Sequence, residues 1–151
     1  ADHTSQSIVQ KYQSEIGKFR VPVIYFCPSD STLSGRVSSE TQHADIFPSI
    51  LDYIGYNGKI VAYGNSVFND VENYAVLYLG GVFKLIKGGY ALFFDGEKNI
   101  GLYRYKADTL LENNLLDKKT ALAENMADEL KAILQSYSKR MNKNALTLEN
   151  P

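Results

Sequence analysis

The chain carries an aspartate followed directly by a histidine, Asp2 and His3. A carboxylate oxygen and an imidazole nitrogen both bind divalent cations, so such a pair at the end of a buried strand can hold one metal ion. On an unstructured tail the same dipeptide has no role, and the residue types alone leave both interpretations open. We take Asp2 and His3 as candidate metal ligands, and the strand that would position them would have to precede residue 1.

Three further positions have side chains that could do chemistry. His43 and Asp45 stand directly before an apolar helix pattern. N-capping by Asp45 together with a surface histidine is the simpler interpretation, and a substrate contact by His43 is the alternative. Cys27 is the single cysteine, so it has no partner for an internal disulfide, and a buried or idle thiol is the expected state. None of these positions predicts a catalytic residue.

Composition narrows the class of protein. The chain has 151 residues, of which 44% are hydrophobic and 22% are charged, and this is typical of one compact domain with its own core. The formal net charge of -1 and the lack of a Lys/Arg stripe argue against nucleic acid as a partner. No apolar run approaches the roughly 18 to 20 residues that cross a bilayer, so we expect the chain itself to be soluble.

The first half of the chain has the pattern of an α/β layer. Residues 21–26 are apolar and rich in β-branched and aromatic types, which predicts a buried strand. A helix should run from Asp45 to Gly55, with Pro48 in its first turn where no backbone donor is needed. Residues 60–63 predict a second, short strand.

The second half has a different pattern. Four short apolar segments lie between residues 73 and 106, and their connections are too short for parallel crossovers, so they predict a four-stranded antiparallel meander in sequential order. Its many aromatic residues are expected to pack across strands, with ligand stacking as the alternative. Apolar residues at helical spacing over 120–141 predict a long helix that covers one face. The residues expected to make this contact are Leu130, Ile133, Leu134 and Tyr137.

These patterns predict two parts. One strand and a strand fragment cannot bury both faces of an α/β layer, so residues 1–70 are interpreted as the C-terminal portion of an α/β catalytic domain. The remaining strands would come from a missing N-terminal part of that domain. Residues 71–151 are interpreted as a small C-terminal subdomain of antiparallel sheet plus helix.

An ordered set of motifs resembles the C-terminal part of the sulfatase family, which has the alkaline phosphatase superfamily fold. The branch most similar to it is the lipoteichoic acid synthase-like membrane proteins, which transfer phosphoglycerol or phosphoethanolamine groups. The meander and residues 135–141 (QSYSKRM) resemble the small C-terminal subdomain of that branch. The other motifs are DHTS at 2–5, VPVIYF at 21–26, HADIFPSIL at 43–51 and AYGNSVF at 62–68.

The resemblance implies a metal-dependent hydrolase or transferase of sulfate or phosphate esters. In such enzymes a divalent metal ion polarises the ester oxygen, and manganese, zinc, magnesium and calcium are all open as its identity. Asp2 and His3 match the family's late Asp-His pair of metal ligands. The family's nucleophile and early acidic ligand have no counterpart in this sequence, and Cys27 lacks the Cys-x-Pro-x-Arg setting of the modified sulfatase nucleophile. We therefore expect this chain by itself to be inactive.

The resemblance also implies a location and partners. The parent protein would work on the extracytoplasmic (periplasmic) side of the cell membrane, and its partners would be the missing N-terminal part and a sulfate or phosphate ester, including lipid-linked ones. A stand-alone, non-catalytic binding module of the bacterial cell envelope is the alternative. Such a module should begin at a clean domain boundary, whereas Asp2 and His3 form a motif that needs a preceding strand.

Overall fold

A computed structural model describes residues 7–148. These residues form a four-stranded sheet, two α-helices and three single-turn 3₁₀-helices, which matches the sheet and C-terminal helix predicted from the sequence. The α-helices are α1 (Ile46–Tyr53) and α2 (Thr120–Asn142), the strands are β1 (Tyr74–Leu79), β2 (Val82–Lys87), β3 (Tyr90–Phe94) and β4 (Asn99–Tyr103), and the 3₁₀-helices are Gln10–Tyr12, Gly17–Phe19 and His43–Asp45.

The sheet is an antiparallel meander with the strand order β1-β2-β3-β4. Two-residue turns join the first three strands. The glycines of the first turn, Gly80 and Gly81, have φ of 60° and 84°, and those of the second, Gly88 and Gly89, have φ of 56° and 80°. Positive φ at both central positions is the tight hairpin geometry that glycine adopts without steric cost. The Gly-Gly pairs therefore fix where each strand ends.

Helix α2 packs on one face of the sheet. Leu130 is fully buried there, as predicted, while Ile133 and Leu134 are half-buried beside it. The prediction that Tyr137 makes this contact is wrong. Tyr137 is 46% exposed, and its ring packs edge-on against the ring of Tyr63, with the ring centres 5.4 Å apart. The buried core between α2 and the sheet consists of Leu85, Leu92, Phe94, Leu102, Ala123, Met126, Ala127 and Leu130.

The opposite face of the sheet has its own smaller core. Ala75, Ile86 and Ala91 are buried on this face, and Ile16 covers them from the N-terminal segment. Since residues 84 and 86 of β2 alternate with 85 and 87, the two cores use the two faces of the same strands.

Both edges of the sheet accept contacts from outside it. At the β1 edge the backbone N–H of Val76 donates to the side-chain oxygen of Gln42, at 3.1 Å. At the β4 edge the N–H of Leu102 donates to Asn114 Oδ1 at 3.0 Å, and its carbonyl accepts the N–H of Leu115 at 2.7 Å. These bonds occupy backbone groups that would otherwise offer a template for pairing with another chain.

The two strands predicted in the first half are not formed in the described part of the chain. Residues 21–26 and residues 60–63 have no strand assignment. A strand needs a neighbouring backbone for its hydrogen bonds, and residues 7–148 bring no such neighbour to either segment. Ile24 and Phe26 are consequently 82% and 83% exposed.

Helix α1 forms close to its predicted range. It ends at Tyr53, and Gly55 follows with φ of 72°, the left-handed conformation that terminates helices. Several of its apolar residues remain uncovered, since Phe47 is 56% and Ile50 is 47% exposed, and Ile54, which directly follows the helix, is 66% exposed. Among the described residues, neither helix combines the length and the apolar character that a bilayer-spanning segment requires.

Candidate functional site

The predicted metal ligands, Asp2 and His3, lie outside the described residues. Within residues 7–148, no three or more His, Cys, Asp or Glu side chains come together in a group that could hold a metal ion. Their role as metal ligands therefore stays a prediction. The structure does describe the surroundings of the other candidate residues, which are His43, Asp45 and Cys27.

His43 and Asp45 lie in the 3₁₀-turn that leads into α1, and they have opposite surroundings. His43 is exposed. Asp45 is 2% exposed, and its carboxylate accepts the backbone N–H of Gln42 at 2.8 Å and that of Asn65 at 2.9 Å. The side chain thus caps the 3₁₀-turn and not α1 itself, for which it makes no capping bond. The carboxylate is committed to backbone donors, which is a structural role.

Ser49 extends this arrangement one turn along the helix. Its hydroxyl donates to the Asp45 carbonyl and accepts the N–H of Val67 at 3.0 Å, and the side chain is fully buried. Together, Asp45 and Ser49 hold the segment 65–67 against the start of α1. We call these residues, with Gln42, Asn65 and Val67, the turn network.

Gln42 is a structural residue that the sequence analysis missed. Its side chain accepts the N–H of Val76 on β1, and it donates to the carbonyl of Tyr63 at 3.1 Å. It also forms a reciprocal capping box with Asp45. The spacing Gln42-x-x-Asp45 is a variant of the capping-box pattern, so a signal for it was present in the sequence. Gln42 ties the turn network to the sheet.

Two opposing effects set the pKa of Asp45 in the turn network. Burial raises the pKa of Asp45, and the two backbone donors from Gln42 and Asn65 act in the opposite direction. The net shift is upward. A raised pKa can signal a catalytic acid, but here two backbone N–H groups already occupy the carboxylate, so the geometry does not support that role.

Cys27 lies at a small polar cluster on the surface. Its Sγ is 3.3 Å from the hydroxyl of Ser29, and nearby the Tyr53 hydroxyl donates to Asp30 at 2.8 Å. The hydroxyl of Ser29 is the main cause of a lowered pKa at Cys27, and the closeness of Cys27 and Asp30 raises the pKa of Tyr53. The sequence has two histidines, His3 and His43. His3 lies outside the described residues, and His43 makes no hydrogen bond to Cys27 in the described structure. The arrangement stabilises a loop and does not form a catalytic pair.

An open groove lies beside α1. Its volume is about 370 Å³, and it combines apolar walls with amide and hydroxyl groups. The groove is lined by residues of α1 and of the loop that follows it, among them Pro48, Leu51, Tyr56, Ile60, Asn65 and Ser66. The described residues that line it include one carboxyl group, that of Asp52, and no histidine, cysteine or lysine.

The aromatic residues of the sheet pack against one another. The rings of Tyr78 and Phe83, which face each other in the β1–β2 register, lie 4.6 Å apart, and those of Phe93 and Tyr103 lie 5.2 Å apart. Such cross-strand pairs stabilise a sheet. The packing role predicted for these residues fits this geometry.

Comparison with known protein families, with curated proteins and with solved structures finds no match to the chain. Its residues and its fold are therefore the basis for the functional proposal.

Proposed function

We propose that the chain is the C-terminal part of a metal-dependent, sulfatase-like enzyme that hydrolyses or transfers sulfate or phosphate ester groups. The ordered set of motifs carries the proposal, from the Asp2-His3 pair through residues 21–26 and 43–51 to residues 62–68. In this proposal the enzyme resembles phosphoglycerol and phosphoethanolamine transferases. It acts on the extracytoplasmic side of the cell membrane.

Asp2 and His3 are the residues proposed to hold the metal. One carboxylate and one imidazole suit manganese or zinc, and the carboxylate also suits magnesium or calcium. A bound divalent cation would polarise the ester oxygen. Two ligands do not complete a coordination shell, so the other donors and the nucleophile are assigned to the preceding part of the catalytic domain.

The uncovered apolar surface of the first half supports this proposal. Ile24 and Phe26 of the extended segment, Phe47 of α1 and Ile54, which directly follows α1, are all more than half exposed. Several large apolar side chains left in water in one part of a chain are typical of a surface that another part of a protein covers. An extended segment and a helix, both with bare apolar side chains, are what one side of an α/β layer looks like without the rest of its sheet.

The test is turnover by the 151-residue chain and by the polypeptide that its complete reading frame encodes. p-Nitrophenyl sulfate, p-nitrophenyl phosphate and a phosphatidylglycerol analogue are assayed with each divalent metal in turn. The chain alone is expected to show no turnover above buffer, because it supplies neither nucleophile nor early acidic ligand. The longer polypeptide is expected to show metal-dependent turnover of one ester class.

Metal-dependent turnover by the 151-residue chain that survives repurification and disappears in Asp2→Ala would overturn the proposal, since it would reveal a complete site. A longer polypeptide that is folded and binds metal but turns over none of these esters would also count against it.

The alternative function is a stand-alone binding module of the cell envelope. The observation in its favour is that the sheet and α2 share a core that uses no residue from the first 70. The turnover experiment separates the two, because a module would leave every ester intact in the chain and in the longer polypeptide alike.

A further inference from the structure

The face of the sheet opposite α2 is covered by an N-terminal segment that we call the strap, residues 9–20. The strap contains the 3₁₀-helices Gln10–Tyr12 and Gly17–Phe19. Its backbone hydrogen bonds are local, as in Phe19 N–H to the Ile16 carbonyl at 3.1 Å, and within the described residues none joins it to a strand of the sheet. The attachment therefore depends on side chains of the strap and of the sheet, among them the Lys84 ammonium, which also lies 3.5 Å from the Glu15 backbone carbonyl.

The apolar part of this attachment is small. Ile16 is the strap side chain that enters the core of this face, where it meets Ala75, Ile86 and Ala91. Val9, at the start of the strap, is 47% exposed. The partly buried side chains that pack around this cluster are Leu77, Phe93, Tyr105 and Leu111. The cluster has four buried members, whereas the core on the α2 face has eight.

The polar part is an ion pair with a buried lysine. Lys84 lies on β2 beneath the strap and is 1% exposed, and its ammonium group is 2.8 Å from Glu15 Oε2. The ring of Phe93 lies 5.1 Å from the same nitrogen and that of Phe19 lies 5.9 Å from it. Among the described residues, Glu15 is the acidic partner of Lys84, and it is shared with Lys18.

We propose that the strap opens and closes as a unit, and that the Lys84–Glu15 pair sets the balance between the two states. In the closed state, the lysine is buried and depends on Glu15 for compensation of its charge. Glu15 is already 51% exposed, so in the open state it is the lysine that returns to water, which recovers its desolvation cost. Opening loses the contacts of Ile16 and of the Phe19 ring in exchange, so it should occur at a lower free energy than unfolding of the sheet.

Opening would change the surface of this face. It would uncover a single ammonium group surrounded by the apolar side chains of Ala75, Ile86 and Ala91, and the Phe93 ring. It would also release residues 9–20 from the sheet. This inference concerns the motion of the strap and does not depend on the proposed enzymatic function.

Because Lys84 is charged, the proposal predicts that removing one partner of the ion pair and removing the other change strap opening in opposite directions. In Glu15→Gln the closed state retains a buried lysine without its anion, so opening becomes more favourable. In Lys84→Met the closed state buries an apolar side chain instead, and opening now exposes that side chain to water, so opening becomes less favourable. A contact that is merely structural would be weakened by either substitution.

The experiment is native-state hydrogen exchange on the 151-residue chain, read at the amides of Gln13, Phe19 and Arg20, with Leu85 and Leu92 in the sheet as references. In the unmodified chain the strap amides are expected to exchange faster than the sheet amides, through an opening that leaves the sheet protected. Glu15→Gln should accelerate strap exchange by about tenfold or more, and Lys84→Met should slow it.

The matched control is Glu129→Gln, which breaks the ion pair that Lys87 of the same strand makes on the α2 face, at 2.7 Å. It should leave strap exchange unchanged. Equal acceleration by Glu15→Gln and Lys84→Met, no effect of Glu15→Gln, or strap and sheet amides that exchange together would each overturn the proposal. Because the last outcome is read in the unmodified chain, the proposal stays testable if a variant fails to fold.

Discussion

Leu130 is the residue whose truncation should most directly weaken the contact between α2 and the sheet. Its side chain is fully buried and packs in the core between α2 and the sheet. Replacement by alanine removes three carbon atoms, worth about 2.4 kcal/mol at about 0.8 kcal/mol per buried methylene. A residual cavity adds to this loss, so Leu130→Ala should lower the free energy of unfolding by about 2 to 5 kcal/mol.

The assay is urea denaturation followed by circular dichroism. With a urea slope of about 2 kcal/mol/M, the expected loss lowers the transition midpoint by about 1 to 2.5 M at unchanged slope. Leu134→Ala, one helical turn further along and only half-buried, is the matched control, and it should cost less than about 2 kcal/mol. Equal losses for the two variants, or a loss below about 1 kcal/mol for Leu130→Ala, would refute the packing described for this helix.

Two further predictions concern polar contacts made by the first half of the chain. Burial alone raises the pKa of Glu40, but the Lys106 ammonium at 2.9 Å and the Tyr105 hydroxyl at 2.8 Å outweigh it and hold the pKa below its ordinary value of 4.5. The carboxylate therefore stabilises the fold above about pH 4.5, and this stabilisation is lost as the pH falls through the folded-state pKa. In urea titrations Glu40→Gln should be destabilised at pH 7 and should converge with the unmodified chain in acid; a difference that does not depend on pH would contradict the assignment. Ser49→Ala should cost about 1 to 3 kcal/mol in the same assay because it leaves the partly buried Val67 N–H without its acceptor, and a loss within error would show that the serine bond is dispensable.

The meander and its helix could be predicted from the sequence because their signals are local. The glycine pairs at 80–81 and 88–89 mark tight hairpin turns, which they form with positive φ at both positions, and the residues between them alternate between two faces. The period of the apolar residues in α2 likewise needs no distant partner to be read. The meander predicted between residues 73 and 106 runs from Tyr74 to Tyr103 in the structure.

The strand predicted over residues 21–26 shows where local signals fail. Its composition favours a strand, but a strand exists only when another backbone accepts its hydrogen bonds, and that partner is not encoded in the six residues themselves. The contacts around the candidate residues could likewise be predicted only in part from the sequence. The capping spacing of Gln42 and Asp45 could have been read, whereas the ion pair between Glu15 and Lys84 joins residues 69 positions apart and has no sequence signature.

The metal content of the polypeptide encoded by the complete reading frame tests the central claim most directly. The purified protein should hold a divalent cation, measured by inductively coupled plasma mass spectrometry, and Asp2→Asn and His3→Ala should each lose most of it while circular dichroism stays unchanged. His43→Ala is the matched control, and it should retain full metal content, because His43 is an exposed histidine in a capping turn. Full occupancy in both Asp2→Asn and His3→Ala would contradict the proposed metal pair and, with it, the sulfatase-like function.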